Sequence, residues 1–266
     1  MEASEIYPNA PLSLVAAEVR FPDGAASSLS TVAYRALRDR LGSEWVIEGS
    51  RHQTVEFAIG PNGVPEQNLR NESLFRITVR DRTRIVTLRP ESLTIEVSRY
   101  DGYGEFRRLL EVALAAVQDI LQPDGVSRLG LRYIDEIFID GDTQPDWAEW
   151  IHGSLLPPTV EGLRPATWTG AVQYNTGSDR NLVLRFGPSL QPVVSESSPL
   201  RRLRPMQGPI FMLDFDSYWQ PSDIPEFATL NVLATFDELR SPIRTLFDSL
   251  ITPRLVTDVL RMEPTR

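Results

Sequence analysis

One stretch limits the folds open to this 266-residue chain more than any other: Arg128-Leu-Gly-Leu-Arg-Tyr-Ile-Asp-Glu-Ile-Phe-Ile-Asp140. Read at the two-residue period of a β-strand, Leu129, Leu131, Tyr133, Asp135, Ile137 and Ile139 fall on one side, and Arg128, Arg132, Ile134, Glu136 and Phe138 on the other. Both sides are largely apolar, so the strand is expected to be covered on both and to lie centrally in its sheet. That puts Arg132, Asp135 and Glu136 near the interior as a candidate buried polar cluster. Buried charges need partners. Two readings stay open: a binding or catalytic cluster, or an ion-pair network that holds the strand in register.

The segments on either side follow similar patterns. Before the strand, Asn9 to Phe21 reads as a strand, and Ser27, Ser28 and Ser30 offer N-caps for a helix carrying Tyr34, Leu37 and Leu41 and ending at Gly42. Short strands around Trp45–Glu48 and Thr54–Ile59 lead into a polar connection, Gly60 to Asn71. A three-strand meander follows: Leu74–Arg80, Thr83–Leu88 and Ser92–Arg99. Phe106, Leu109, Leu110, Ala113, Val117, Ile120 and Leu121 then mark an amphipathic helix that stops before Pro123.

Beyond Asp140 the pattern weakens until strands resume at Thr167–Tyr174 and Arg180–Phe186. The strand Pro209–Trp219 and a helix carrying Leu230, Leu233, Phe236, Leu239, Ile243, Phe247 and Leu250 repeat the strand-then-helix order, with Pro242 as a kink or a restart. Glu96-Val-Ser-Arg-Tyr100 and Asp214-Phe-Asp-Ser-Tyr218 correspond, each ahead of a helix that opens near a phenylalanine. The expectation is an α+β fold with two related halves, each a mainly antiparallel sheet covered by a long amphipathic helix. Residues 1–140 form the first half, 141–166 the connection and 167–266 the second, packed as one unit.

Absent residues narrow the chemistry. The chain has no cysteine, which removes disulfides, thiolate nucleophiles and cysteine-built metal sites. It has no lysine either, every basic residue being arginine, which removes Schiff-base chemistry and the phosphate-loop lysine. Its two histidines, His52 and His152, stand without a motif that would position a nucleophile. No cofactor is implied. A net charge of −9 argues against general nucleic-acid binding. No apolar run is long enough to span a membrane and the start lacks the features of a signal peptide, so a soluble, cytoplasmic protein is expected.

Three further groups are candidate sites. Arg201, Arg202 and Arg204 form the most basic loop and could clamp an anion or a partner. Trp147 and Trp150 would mark a partner surface if exposed and a lid if buried. Asp214 and Asp216, on one side of a strand, are weak candidates for a divalent cation, although no metal site is assigned because further ligands are missing nearby. The edge strand Thr167–Tyr174 could pair across a dimer axis; the sequence does not require it.

Several motifs carry a resemblance: Asn9-Ala-Pro-Leu12, Glu18-Val-Arg-Phe21, Leu131-Arg-Tyr-Ile-Asp135, Leu213-Asp-Phe-Asp216 and Phe247-x-x-x-Ile251-Thr252. Together they resemble an uncharacterised, sporadically distributed bacterial family whose usual pattern is Leu-Arg-Tyr-Ile-Asn, so Asp135 is a departure. The resemblance implies a chain acting as one unit, with the patchy occurrence of mobile or defence-associated genes. It implies no activity. The functional expectation is a non-enzymatic binding protein with a protein partner, antitoxin-like or chaperone-like. The alternatives are a carboxylate-based enzyme, with or without a metal, using some of Asp135, Glu136, Asp214 and Asp216, and a carrier of a small apolar ligand.

Overall fold

Alternating apolar residues and turn signals become, in chain order, β1 (Leu12–Arg20), α1 (Thr31–Leu41), β2 (Trp45–Ile59), β3 (Pro65–Val79), β4 (Arg84–Arg89), β5 (Ser92–Val97), α2 (Tyr103–Leu121), β6 (Arg128–Phe138), β7 (Gly170–Gly177), β8 (Arg180–Ser189), β9 (Ile210–Trp219), α3 (Thr229–Leu250) and α4 (Pro253–Leu255). The structure is a computed structural model that describes residues 7–22, 29–59, 65–163, 165–195, 198–204 and 208–262. The protein is α+β. Its strands form one sheet in the order β2-β3-β4-β5-β1-β6-β9-β8-β7, and every pairing is antiparallel.

The strand on which the sequence turns, β6, lies between β1 and β9. Tyr133 stands opposite Val15 on one neighbour and Phe215 on the other. Antiparallel partners project to the same side of a sheet. Val15, Ala17, Leu129, Leu131, Leu213 and Phe215 therefore share one side, and they form a single core cluster with Leu37 of α1, Leu110 of α2 and Phe236 of α3. Each fully buried leucine or phenylalanine there contributes about 1.5–3 kcal/mol by leaving water. A smaller cluster lies on the other side, where Leu14, Ile85 and Ile134 meet Val194 and Leu200. The segment that precedes β9 thus crosses the second side of the sheet as a strap. Arg201 ties it down: its N–H donates to the Arg82 carbonyl at 2.7 Å and its carbonyl accepts from Ser98 Oγ at 2.6 Å.

Local signals account for most element ends. Ser30 caps α1 by accepting from the Ala33 N–H at 3.3 Å, and Gly42 leaves the helix at φ 121°, which a side chain rarely tolerates. Thr252 caps α4 by accepting from Leu255 N–H at 3.2 Å. α3 runs unbroken through Pro242, so the proline neither ends nor restarts it. Buried Phe236 and Leu239 before the proline and Ile243, Phe247 and Leu250 after it outweigh the lost backbone bond.

One expectation is corrected. The connection expected from Gly60 to Asn71 belongs in large part to β3, which starts at Pro65 and pairs with β2 as far as Ile59 opposite Pro65. Glutamate, asparagine and proline are poor strand formers, but a continuous backbone ladder with β2 overrides that preference. Residues 60–64 lie outside the described residues.

Candidate functional site

On the side of the sheet away from the helices, register sets the charged residues of β1, β6, β8 and β9 beside one another. Arg132 lies opposite Asp216, while Asp214 lies opposite Ile134 on one side and Arg185 on the other. Arg132 reaches along the strand to Asp214 instead, as a two-pronged pair with Nε–Oδ1 2.7 Å and Nη2–Oδ2 2.8 Å. Those bonds to Asp214 raise the Arg132 guanidinium above its usual pKa even though burial acts the other way. Arg185 Nη1 stands 3.6 Å from the same carboxylate. Arg128 donates to Glu18 at 2.7 Å, lies 3.8 Å from Asp216, and sits 5.0 Å above the Tyr218 ring. It folds across Gly130, where a Cβ would fall 2.8 Å from Arg128 Nη1, so the absence of a side chain makes this route available.

Asp214 is 2% exposed and serves two arginines that are each about half exposed. Asp214→Asn is expected to lower stability by about 1–2 kcal/mol, since the cations left behind are partly solvated. Urea unfolding at neutral pH measures this, and an unchanged midpoint would count against a structural pair.

Glu136 occupies the same side, deeper. Its carboxylate accepts from Ser13 Oγ at 2.7 Å and from the Val193 N–H at 2.7 Å, and it forms a close ion pair with Arg202 of the strap. Asp135 projects to the opposite side, toward the helices, level with Leu12 and Leu213. It is 6% exposed, and no described residue donates a hydrogen bond to its carboxyl. Burial, with the nearby charge of Glu136 in support, pushes that carboxyl up to about 8.

The candidate cluster Arg132, Asp135 and Glu136 is therefore not one site. Adjacent strand positions point to opposite sides, and each of the three has a different environment. The arginine loop divides as well: Arg202 is the internal partner of Glu136, whereas Arg201 and Arg204 are exposed. Trp147 and Trp150 are the lid. They are 6% and 7% exposed, Trp147 packs at 5.3 Å against Phe211, and Arg254 lies 4.4 Å over the Trp150 ring. The apolar end of the sheet needs cover, and the bridge between Ile151 and Ile251 holds the turn over it. Asp214 and Asp216 each face an arginine, and no group of three or more histidines, aspartates or glutamates among the described residues could hold a metal ion.

Sequence reasoning missed Ser13, Glu18, Arg128 and Arg185, whose charged or hydroxyl side chains alternate with apolar residues in their strands. That alternation was the available signal. It also missed a tyrosine group between α2 and α3, where Tyr100 and Tyr133 hydroxyls meet at 3.0 Å and Tyr103 donates to Asp237 at 2.8 Å. Burial raises the pKa of all three tyrosines.

Two open clefts border the long helices. One of about 430 Å³ lies by Gln118, Gln122 and Phe227; the other, of about 710 Å³, separates β7 from α3 and is lined by Tyr174, Thr176, Arg180, Glu238, Pro242 and Thr245. No helix among the described residues is long and apolar enough to cross a membrane. The arrangement defines an α+β protein with a charge-paired open sheet side. Compared with known proteins, the chain matches no family model, and no curated protein is similar to it in sequence.

Proposed function

We propose that this protein works by binding, as a non-enzymatic interaction component, antitoxin-like or chaperone-like, of a mobile or defence-associated bacterial system. The observation that carries this reading is how the candidate carboxylates are used: Asp214 and Asp216 face arginines, Glu136 is paired beneath the strap, and Asp135 is buried on the far side. Acid–base or metal chemistry needs such groups free and convergent on a substrate. Membership of the bacterial family resembled by the Asn9-Ala-Pro-Leu12 and Leu131-Arg-Tyr-Ile-Asp135 motifs is part of the proposal, as is the cytoplasm as the place of action. A tagged pull-down from the native host at physiological salt, quantified by mass spectrometry, is expected to recover one stoichiometric protein partner. Recovery of the bare chain, together with calorimetric binding of magnesium, manganese or calcium, would replace this reading with the enzymatic one.

The two halves are proposed to be related. With β6 counted in the second half rather than within residues 1–140, strand order supports this: β1 and β6 meet in the middle, each flanked outward by the last strand of its half, β5 or β9, then by β4 or β8 and β3 or β7. A long helix follows the last strand of each half, α2 after β5 and α3 after β9. On this reading β2 has no counterpart beyond β7.

A further inference from the structure

β7 ends the sheet, with one side paired to β8 and the other unpaired among the described residues. An open edge presents alternate backbone N–H and C=O groups to any extended chain, and proteins usually protect such edges with charges, prolines or bulges. The strand at the other end, β2, carries the charge of Glu48, which pairs with Arg82. β7 carries none: from Pro165 to Ser178 there is no charged residue, and the one irregularity in its pairing lies at the end, between Asn175 and Gly177. Val172 and Tyr174, which share one side of the strand, remain 40% and 38% exposed, and Tyr174 lines the cleft beside α3. The nearest charges in that cleft, Arg180 and Glu238, neutralise each other.

We propose that β7 pairs antiparallel with β7 of a second copy of this chain about a two-fold axis at Gln173, joining two sheets into one. Symmetry makes a second copy a fitting occupant, because about this axis the strand is its own complement and brings no charge against charge. Each chain carries a net charge of −9, so two copies repel over most of their surfaces, and a neutral strand is where they can approach. A two-fold at Gln173 sets Val172 of each copy opposite Tyr174 of the other, on the cleft side. That is a β-branched and aromatic pair of the kind that stabilises antiparallel strands. Gln173 meets its own equivalent on the opposite side, where two amides can bond. The missing counterpart of β2 gives the same position to an added strand. This inference goes beyond the partner-binding reading and stands apart from it, because purified chain alone tests it.

Absence of cysteine makes the test clean. Residues directly opposite in an antiparallel pair have Cα atoms about 4.5–5.5 Å apart, within disulfide reach. Under mild oxidation Gln173→Cys is expected to convert most of the chain to a covalent dimer. Ala171→Cys and Asn175→Cys should cross-link when mixed but not alone, and Val112→Cys on exposed α2 should form no covalent dimer. In light scattering, wild type should show twice the chain mass at micromolar concentration. Gln173→Arg, which sets like charges opposite each other at an exposed position, should weaken the dimer at least tenfold with an unchanged circular dichroism spectrum. A wild-type monomer at all concentrations, or a dimer that Gln173→Arg leaves intact and Gln173→Cys does not cross-link, overturns the proposal.

Discussion

Replacing Asp135 by asparagine is expected to stabilise the fold, and to do so increasingly as the pH rises. The carboxyl is buried among apolar groups on the helix side of β6 and is pushed up to about 8 by that burial, with the charge of Glu136 adding to it. In the unfolded chain it ionises near its ordinary value of 3.8. Between these values the folded state holds a proton that the unfolded state has released, so Asp135 contributes its full stability below about pH 4 and loses it as pH climbs through about 8. Asparagine keeps the shape of the neutral acid and cannot ionise. At about 1.4 kcal/mol per pKa unit the gain above pH 8 has a ceiling on the order of 5 kcal/mol, and about 2–4 kcal/mol is expected after the site relaxes. Urea unfolding of both proteins at about pH 5 and about pH 9 measures it; an equal gap at the two pH values would refute the buried-acid account.

The second large effect concerns the strap. Arg202→Ala removes the cation beside Glu136, whose side chain is 1% exposed, and leaves that carboxylate the Ser13 hydroxyl and the Val193 N–H as its partners among the described residues. Breaking a buried pair from one side costs up to about 3–5 kcal/mol. Arg202 keeps about a fifth of its side-chain surface in water, so about 2–3 kcal/mol is expected. Most of the effect should appear locally. Amide hydrogen exchange at Val193, Val194 and Leu200 should accelerate well before that of β6, because the strap rests on the small Leu14, Ile85 and Ile134 cluster and on the backbone bonds of Arg201. If β6 and the strap exchange in step, the strap is part of the global unit and this account is wrong.

Much of the scaffold was legible in advance because it is written in short-range patterns. Alternation from Leu129 to Ile137 marked a central strand, Ser30 and Gly42 bracketed α1, and the Phe106–Leu121 stripe marked α2. Residues 65–71 read as a loop because their strand character comes from pairing with β2, a contact that no local pattern encodes. The site was less legible. The Arg132, Asp135 and Glu136 cluster was named because a strand covered on both sides puts all three near the interior, but burial on opposite sides of a sheet does not bring groups together. The partners that matter, Glu18, Ser13, Asp214 and Arg202, come from distant segments.

By itself, the sequence determined the absence of thiol and lysine chemistry, the acidic balance, the uncharged stretch from Pro165 to Ser178 and the faces of its strands and helices, since these follow from residue identity and from periods of two or 3.6. Only the tertiary structure decided which arginine neutralises which carboxylate, that Trp147 and Trp150 are buried, and that the uncharged stretch contributes β7 to the edge of the sheet. Such pairings depend on strand order and register, which join residues far apart in the chain through a single cooperative sheet.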